Sequence, residues 1–376
     1  MDEFFIYGAG QFGTYFFDNV EGKRIIGWID NFKHCVIYKG LPVYSENEFI
    51  EKYRKSRENI VIILAISNSK ISQDVVVSLI KSGFKNIKLL NKNLVEAQGE
   101  VIDKKTGEFS GYVIDYEKRK PTLSYLETQV ADSCNLNCAG CMHLSNLVTK
   151  RKNTDFNEFI ESLERLSNLF ENIKIIRLMG GEPLLNPRLN DFVVECRKAF
   201  PKSDIRVVTN GLLLTSLSEE LIDSMKKSGA SFDITQYPPT RAKMSEILSK
   251  LDGVGVDYSV TEPIKKFEIR MSNGESNPDE VFKDCEYKTC NFLRNRRLYV
   301  CPNIPMLYEN KAYFEFEISE EEIYSSSIDF FDKDISGWKI IERLSESFSL
   351  CRFCSICPQA IDWNNSKPTK FDWIST

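Results

Sequence analysis

The sequence predicts an α/β protein in three successive parts, and three observations predict it. Short apolar strands alternate with amphipathic helices in the first hundred residues; the same alternation restarts near residue 125; and beyond about residue 275 the periodicity fades while six of the 11 cysteines appear. At 376 residues the chain exceeds the roughly 250–300 residues at which single hydrophobic cores stop growing. The expected organisation is a small parallel-sheet domain over 1–92, a linker over 93–124, a larger βα series over 125–275 and a cysteine-rich region over 276–376.

In the first part, Phe4-Phe5-Ile6-Tyr7 reads as a strand that runs into Gly8-Ala9-Gly10-Gln11-Phe12-Gly13, then a short helix, then the strand Ile25–Ile29 ending at Asp30. Glycines between a strand and a helix permit a tight turn and close approach of phosphate to the helix N-terminus, and an acid ending the next strand can accept ribose hydroxyls. Gly8, Gly10, Gly13 and Asp30 are therefore the candidate nucleotide contacts of a Rossmann-like domain. Ile60–Ala65 and Ile87–Leu90 are its further strands. Residues 93–124 turn polar and lack either hydrophobic period.

The second part opens with the strand Tyr125–Val130 and continues through strands at Ile173–Met179, Ile205–Val208, Phe232–Thr235 and Val256–Val260. Helices are expected near 188–200, 218–228 and 240–251. Another, capped by Thr154 or Asp155, carries the stripe Phe156, Phe159, Ile160, Leu163, Leu166 and Phe170. Repeated βα units of this kind imply a parallel sheet, here a partial (β/α)6 TIM barrel.

Composition narrows the chemistry. The 49 basic and 54 acidic residues are interspersed, so no nucleic-acid polymer is an expected partner. No apolar run nears the ~20 residues of a membrane span and no leader is evident, so a cytoplasmic protein without membrane insertion is expected. In a reducing compartment clustered thiols read as metal ligands, and with only two histidines, His34 and His143, any metal chemistry is thiolate chemistry. Cys134, Cys138 and Cys141 fall within eight residues directly after a strand. Structural zinc takes four ligands, whereas a cluster on three cysteines leaves one iron open to another ligand. A zinc or redox-thiol loop is the competing reading.

The Cys-x3-Cys-x2-Cys spacing resembles that of the radical S-adenosylmethionine (SAM) superfamily. Gly180-Gly181-Glu182-Pro183, immediately after a strand, is similar to that superfamily's glycine–glycine–glutamate–proline segment. The resemblance implies a 4Fe-4S cluster on Cys134, Cys138 and Cys141, with SAM chelating the open iron. It further implies SAM contacts from Gly180, Gly181, Glu182 and Pro183, ribose contacts from Asn210 and Thr235, and a reductant such as flavodoxin or ferredoxin. Gly140 departs from the pattern, since many members carry an aromatic residue there.

Cys290, Cys301, Cys351 and Cys354, with Cys285 and Cys357 as possible substitutes, resemble the twitch/SPASM extension and would carry a second, auxiliary 4Fe-4S cluster. A four-cysteine zinc site is the alternative. Cys35 and Cys196 read as small buried apolar residues. The first part resembles the nucleotide-sugar-binding domain of PglD-like acyltransferases. Together these resemblances imply hydrogen abstraction from a sugar or nucleotide-linked sugar in surface-polysaccharide synthesis. A ribosomal-peptide maturase and a non-catalytic iron–sulfur nucleotide or redox sensor are the alternatives. No catalytic base or hydrogen donor can be named; His143 and Tyr237 lie near the expected site.

Overall fold

The structure, a computed structural model, describes residues 2–21, 23–148, 153–366 and 369–374. It divides into two compact units, 1–121 and 122–376.

The first unit runs β1 (Glu3–Tyr7), α1 (Gln11–Asn19), β2 (Ile25–Ile29), β3 (Ile37–Tyr38), β4 (Leu41–Tyr44), α2 (Glu46–Tyr53), β5 (Ile60–Leu64), α3 (Ser69–Lys81), β6 (Ile87–Leu90) and β7 (Val113–Asp115). Its sheet has the order β3-β4-β2-β1-β5-β6-β7. The five inner strands are parallel, and β3 and β7 are antiparallel edges. Strand order reverses between β1 and β5, where the glycine turn after β1 lies. Residues 93–121, expected as a linker, belong to this unit: Leu94, Val101 and Val113 are buried in one core with Phe4, Ile6, Phe16, Trp28 and Ile63. With Ile102, Phe109 and Tyr112 packed against the same core, these side chains hold a segment that shows no period.

The second unit runs β8 (Thr122–Ala131), α4 (Phe156–Leu169), β9 (Asn172–Gly180), α5 (Leu189–Ala199), β10 (Asp204–Thr209), α6 (Glu219–Ser228), β11 (Ser231–Ile234), α7 (Pro238–Arg241), α8 (Met244–Val254), β12 (Tyr258–Val260), β13 (Lys266–Met271), α9 (Pro278–Asp284), β14 (Phe292–Arg294), β15 (Arg297–Tyr299), α10 (Asn303–Glu309), three short helices and β16 (Cys354–Asp362). Strands β8 to β12 are parallel and adjacent in chain order. On the other side of β8, β14 pairs parallel to it and leads into the β14–β15 hairpin, giving the order β12-β11-β10-β9-β8-β14-β15. Among the described residues no pairing closes the sheet into a barrel.

Alternation sorts the side chains. Leu126, Val130, Ile176, Leu178, Ile205, Val207, Phe232 and Ile234 share one face and one core with Phe159, Leu163 and Leu166 of α4, Phe192 and Cys196 of α5, and Met225 of α6. Asp155 caps α4, accepting from the backbone N–H groups of Asn157 and Glu158. The opposite parity carries Tyr125, Glu127 and Gln129 on β8, Arg177 and Met179 on β9, Arg206 and Val208 on β10, and Asp233 on β11. Met179 and Val208 reach the cleft described next.

Candidate metal and cofactor centre

The cleft lies at the C-terminal ends of β8 to β11. Cys134, Cys138, Cys141, His143, Asn146, Gly180, Gly181, Asn210, Thr235 and Tyr237 line it. The three thiols of the sequence motif are thus gathered around one space with most of the expected SAM contacts.

The glycine pair explains how. Gly180 has φ +142°, and a Cβ on it would stand 2.2 Å from the Ala131 carbonyl oxygen; a Cβ on Gly181 would stand 2.2 Å from that of Ser133. Only hydrogen at Cα allows the β9 turn to lie against the start of the cysteine loop. There Gly181 N–H donates to Ala131 O (2.8 Å) and Glu182 N–H to Ser133 O (2.9 Å).

Glu182 turns away from the expected role. Its side chain is fully buried, and its carboxylate accepts from Thr209 Oγ1 (2.7 Å), Asn210 N (2.9 Å) and Leu184 N (3.1 Å). It fixes the turn after β10, from which Asn210 Nδ2 donates to Asn135 Oδ1 in the cysteine loop (2.6 Å). Burial pushes its carboxyl up to about 7, against those hydrogen bonds. Pro183 is buried in the same turn. Neither side chain lines the cleft.

Burial pushes the Cys134 and Cys138 thiols up to about 12. Cys141 is raised too, although the N–H groups of Ser145, His143 and Leu144 turned toward its sulfur pull the other way. Buried thiols with such values become thiolates when a cation binds them, so the donor set suits a metal rather than a nucleophile. Asn146 donates from Nδ2 to Cys138 O (2.6 Å), while its buried Oδ1 meets no donor, an acceptor available to a ligand's N–H or O–H. The residues therefore fit a cluster carrying an amino-acid chelate.

His143 is bonded through Nδ1 to Gln129 Oε1 (3.0 Å), whose Nε2 donates to Asp132 (3.1 Å). That chain places the imidazole proton on Nδ1, and burial, then the Arg294 and Arg177 charges, hold its pKa down to about 4. It is a neutral group at physiological pH.

Below the cleft, sequence reasoning missed a polar row on the same sheet face. Tyr125 donates to Glu127 Oε2 (2.6 Å), Arg177 to Tyr125 (3.3 Å) and to Asp233 (2.5 Å), and Ser259 to Asp233 (2.8 Å). Desolvation, opposed by Tyr125 and Arg177, pushes Glu127 up to about 7.

A second thiol group lies in the C-terminal region. Cys285, Cys301 and Cys354 line a single cavity with Asn303 and Arg270, and the buried Cys351 interacts with Cys285 and Cys354. Asn303 Nδ2 donates to Cys354 Sγ (3.2 Å). Cys285, expected as a possible substitute, lines this cavity, and Cys290 does not. Pairing of β14 with β8 carries Cys290 toward the sheet, where its electrostatic neighbours are Glu127, Arg177 and Cys285, while Cys285 ends α9 beside the 349–353 turn and β16. Cys357 is exposed on β16. Cys196 is buried as expected, but Cys35 is exposed, held at φ +63° in the loop before β3.

In the first unit, Gly10 caps α1 and borders an open cleft lined by Gln11, Thr14, Lys33 and Tyr38. Gly8 is at φ +107°, and a Cβ on Gly13 would stand 2.0 Å from Gly8 O, so Gly13 packs the helix onto its own turn. Asp30 accepts from the N–H groups of Ala9 (2.9 Å), Phe32 (2.9 Å) and Lys33 (3.0 Å); its carboxylate ties two loops together and does not line the cleft.

Residues 128–243 match the family model of the Radical SAM superfamily. The chain is similar to the GTP 3',8-cyclase of Clostridium botulinum (strain Okra / Type B1), 26% identical over 266 residues, 65% of this chain and 79% of that one. It is also similar to the GTP 3',8-cyclase of Heliobacterium modesticaldum, 31% identical over 169 residues, 42% of this chain and 49% of that one. Among solved structures it resembles BtrN in complex with AdoMet and 2-DOIA, 18% identical with a TM-score of 0.39, covering 63% of this chain and 94% of that one. The second unit thus carries a radical SAM domain, whose cofactors are SAM and a 4Fe-4S cluster. No helix among the described residues is long and apolar enough to cross a membrane.

Proposed function

We propose that this protein reductively cleaves SAM and abstracts hydrogen from a sugar or nucleotide-linked sugar, leading to oxidation, epimerisation or deoxygenation in polysaccharide synthesis. The observation that carries the reading is the gathering of Cys134, Cys138 and Cys141 with Gly180, Gly181, Asn210 and Thr235 around one cleft. Bound there, SAM and the reduced cluster supply a 5′-deoxyadenosyl radical. The chain's own part is to hold the three thiolates, offer Asn146 Oδ1 and the strand-end polar groups to SAM, and exclude water.

The polar row beneath the cleft suits a hydroxylated substrate. Arg177 and Asp233 can bind hydroxyls, and Glu127, with its carboxyl near neutrality, can take a hydroxyl proton at Oε1 or Oε2. Cys285, Cys301, Cys351 and Cys354 would hold a second 4Fe-4S cluster, with flavodoxin or ferredoxin as reductant. The name of the two cyclases denotes a nucleotide substrate, in keeping with a nucleotide-linked sugar. The first unit would bind the nucleotide beside Gly8, Gly10 and the start of α1.

The test is an anaerobic incubation of the reconstituted, reduced protein with SAM and C-deuterated nucleotide sugars. Deuterium in 5′-deoxyadenosine is expected, and Cys138→Ala should abolish it. No 5′-deoxyadenosine under any condition would overturn the enzymatic reading; label transfer from a peptide alone would overturn the sugar.

A further inference from the structure

Resting on the reading of Cys138 as a cluster ligand, we infer that Trp363 is a positioning residue for that cluster, its indole N–H donating to the Cys138 sulfur. The nitrogen lies 3.2 Å from Sγ, and the ring stacks on Tyr237, which lines the cleft, at 5.9 Å between centroids and 28° between planes.

Trp363 begins a strap laid across the cysteine loop. Ala139 N–H donates to Asn364 O (3.2 Å), Asn137 N–H to Asn365 Oδ1 (2.5 Å) and Asn137 Nδ2 to Ser366 O (2.9 Å). Farther on, Trp373 Nε1 donates to Cys141 O (2.8 Å). Gly140 makes room for this strap: it sits at φ +72°, and even a Cβ there would come within 3.2 Å of Asp372 O and 3.3 Å of Ile361 Cδ1.

The strap thus satisfies loop backbone at 137, 139 and 141, but among its described residues Trp363 alone donates to a cluster sulfur. A donor on a ligating sulfur favours the reduced cluster, which carries one more negative charge, and so raises its reduction potential. Trp363 therefore has an electronic effect that ring packing would not produce.

The experiment is a redox titration of the reconstituted full chain, following the electron paramagnetic resonance signal that responds to SAM. Trp363→Phe keeps an aromatic ring against Tyr237 and removes only the donor; Asn365→Ala removes a strap contact and keeps the donor. A lower potential in Trp363→Phe, with Asn365→Ala at the parent value, is expected. An unchanged potential in Trp363→Phe, or an equal fall in both, overturns the assignment. Should Trp363→Phe not hold iron, a Trp373→Phe protein labelled with indole-15N tryptophan answers the same question by pulsed resonance: a nitrogen coupling to the SAM-responsive cluster is expected, and its absence overturns the inference. A preparation without any SAM-responsive signal sinks instead the reading of the cysteine loop itself.

Discussion

Replacing Gly181 by alanine should unseat the cysteine loop without touching a thiol. The added Cβ would lie 2.2 Å from Ser133 O, 2.4 Å from Ser133 C and 2.9 Å from Asp132 O, all backbone, whereas real Cβ atoms essentially never come within 3.0 Å. The loop must retreat by about 0.8 Å, too far to keep the 2.8 Å and 2.9 Å bonds that Gly181 and Glu182 donate to it. Two lost hydrogen bonds at about 1 kcal/mol each, plus about 1–3 kcal/mol of overpacking, give a destabilisation of about 3–5 kcal/mol. Gly253→Ala is the control: it lies in α8 with nothing within 4 Å of its added Cβ and should stabilise by up to about 1 kcal/mol. Urea melts of the apoprotein and iron content after anaerobic reconstitution read the outcome. Wild-type stability and a full primary cluster in Gly181→Ala would show that the glycine pair does not hold the loop.

Three further outcomes are expected. Cys285→Ala should lose the iron of the C-terminal site while Cys290→Ala keeps it, measured as iron and sulfide per chain; the reverse result would restore Cys290 as the ligand. Arg294→Met should cost about 3–5 kcal/mol in urea melts, because it leaves buried Asp132 without the guanidinium that bonds it at 2.9 and 3.1 Å. Glu127, raised from 4.5 to about 7, lends stability that is complete below pH 4.5 and disappears as pH rises through 7, up to about 3 kcal/mol. The fall in apoprotein stability between pH 5 and pH 8 should therefore be smaller in Glu127→Gln, and an identical slope would show that Glu127 titrates normally.

What could be read from sequence followed local periodicity. Strands and helices of both units, the thiol triad and the glycine pair each occupy a few consecutive residues, and short-range pattern carries them. The misplaced details depend on pairings between distant segments. Choosing between Cys285 and Cys290 requires knowing that β14 joins the edge of β8, a contact across some 165 residues shown by Thr128 Oγ1 and Leu293 O. Asp30 and Glu182 have side chains of the expected type at the expected turns, yet their carboxylates accept from groups on other loops as well as nearby backbone, Asp30 from Ala9 N and Glu182 from Thr209 Oγ1 and Asn210 N, pairings that residue type does not reveal. The polar row left a signal: parallel strands covered on both faces read as continuous apolar runs, so Tyr125-x-Glu127-x-Gln129 and Arg177 at alternate positions mark a face that is not packed by helices. Trp363, beyond any periodic segment, left none.

The cysteine loop has neither helix nor strand to satisfy its backbone, so its partners come from elsewhere. Carbonyls at Ala131 and Ser133 are met by the β9 turn, that of Cys138 by Asn146 and that of Cys141 by Trp373, while the N–H groups of Asn137 and Ala139 are met by the strap. A loop held from two sides by segments about 50 and about 225 residues away is shaped before iron arrives. Much of the binding free energy of the cluster need not then be used to order the peptide, in contrast to small zinc domains that fold only with their metal. A loop held in this way would keep the three sulfurs together and leave the fourth iron position of a cluster to the cleft.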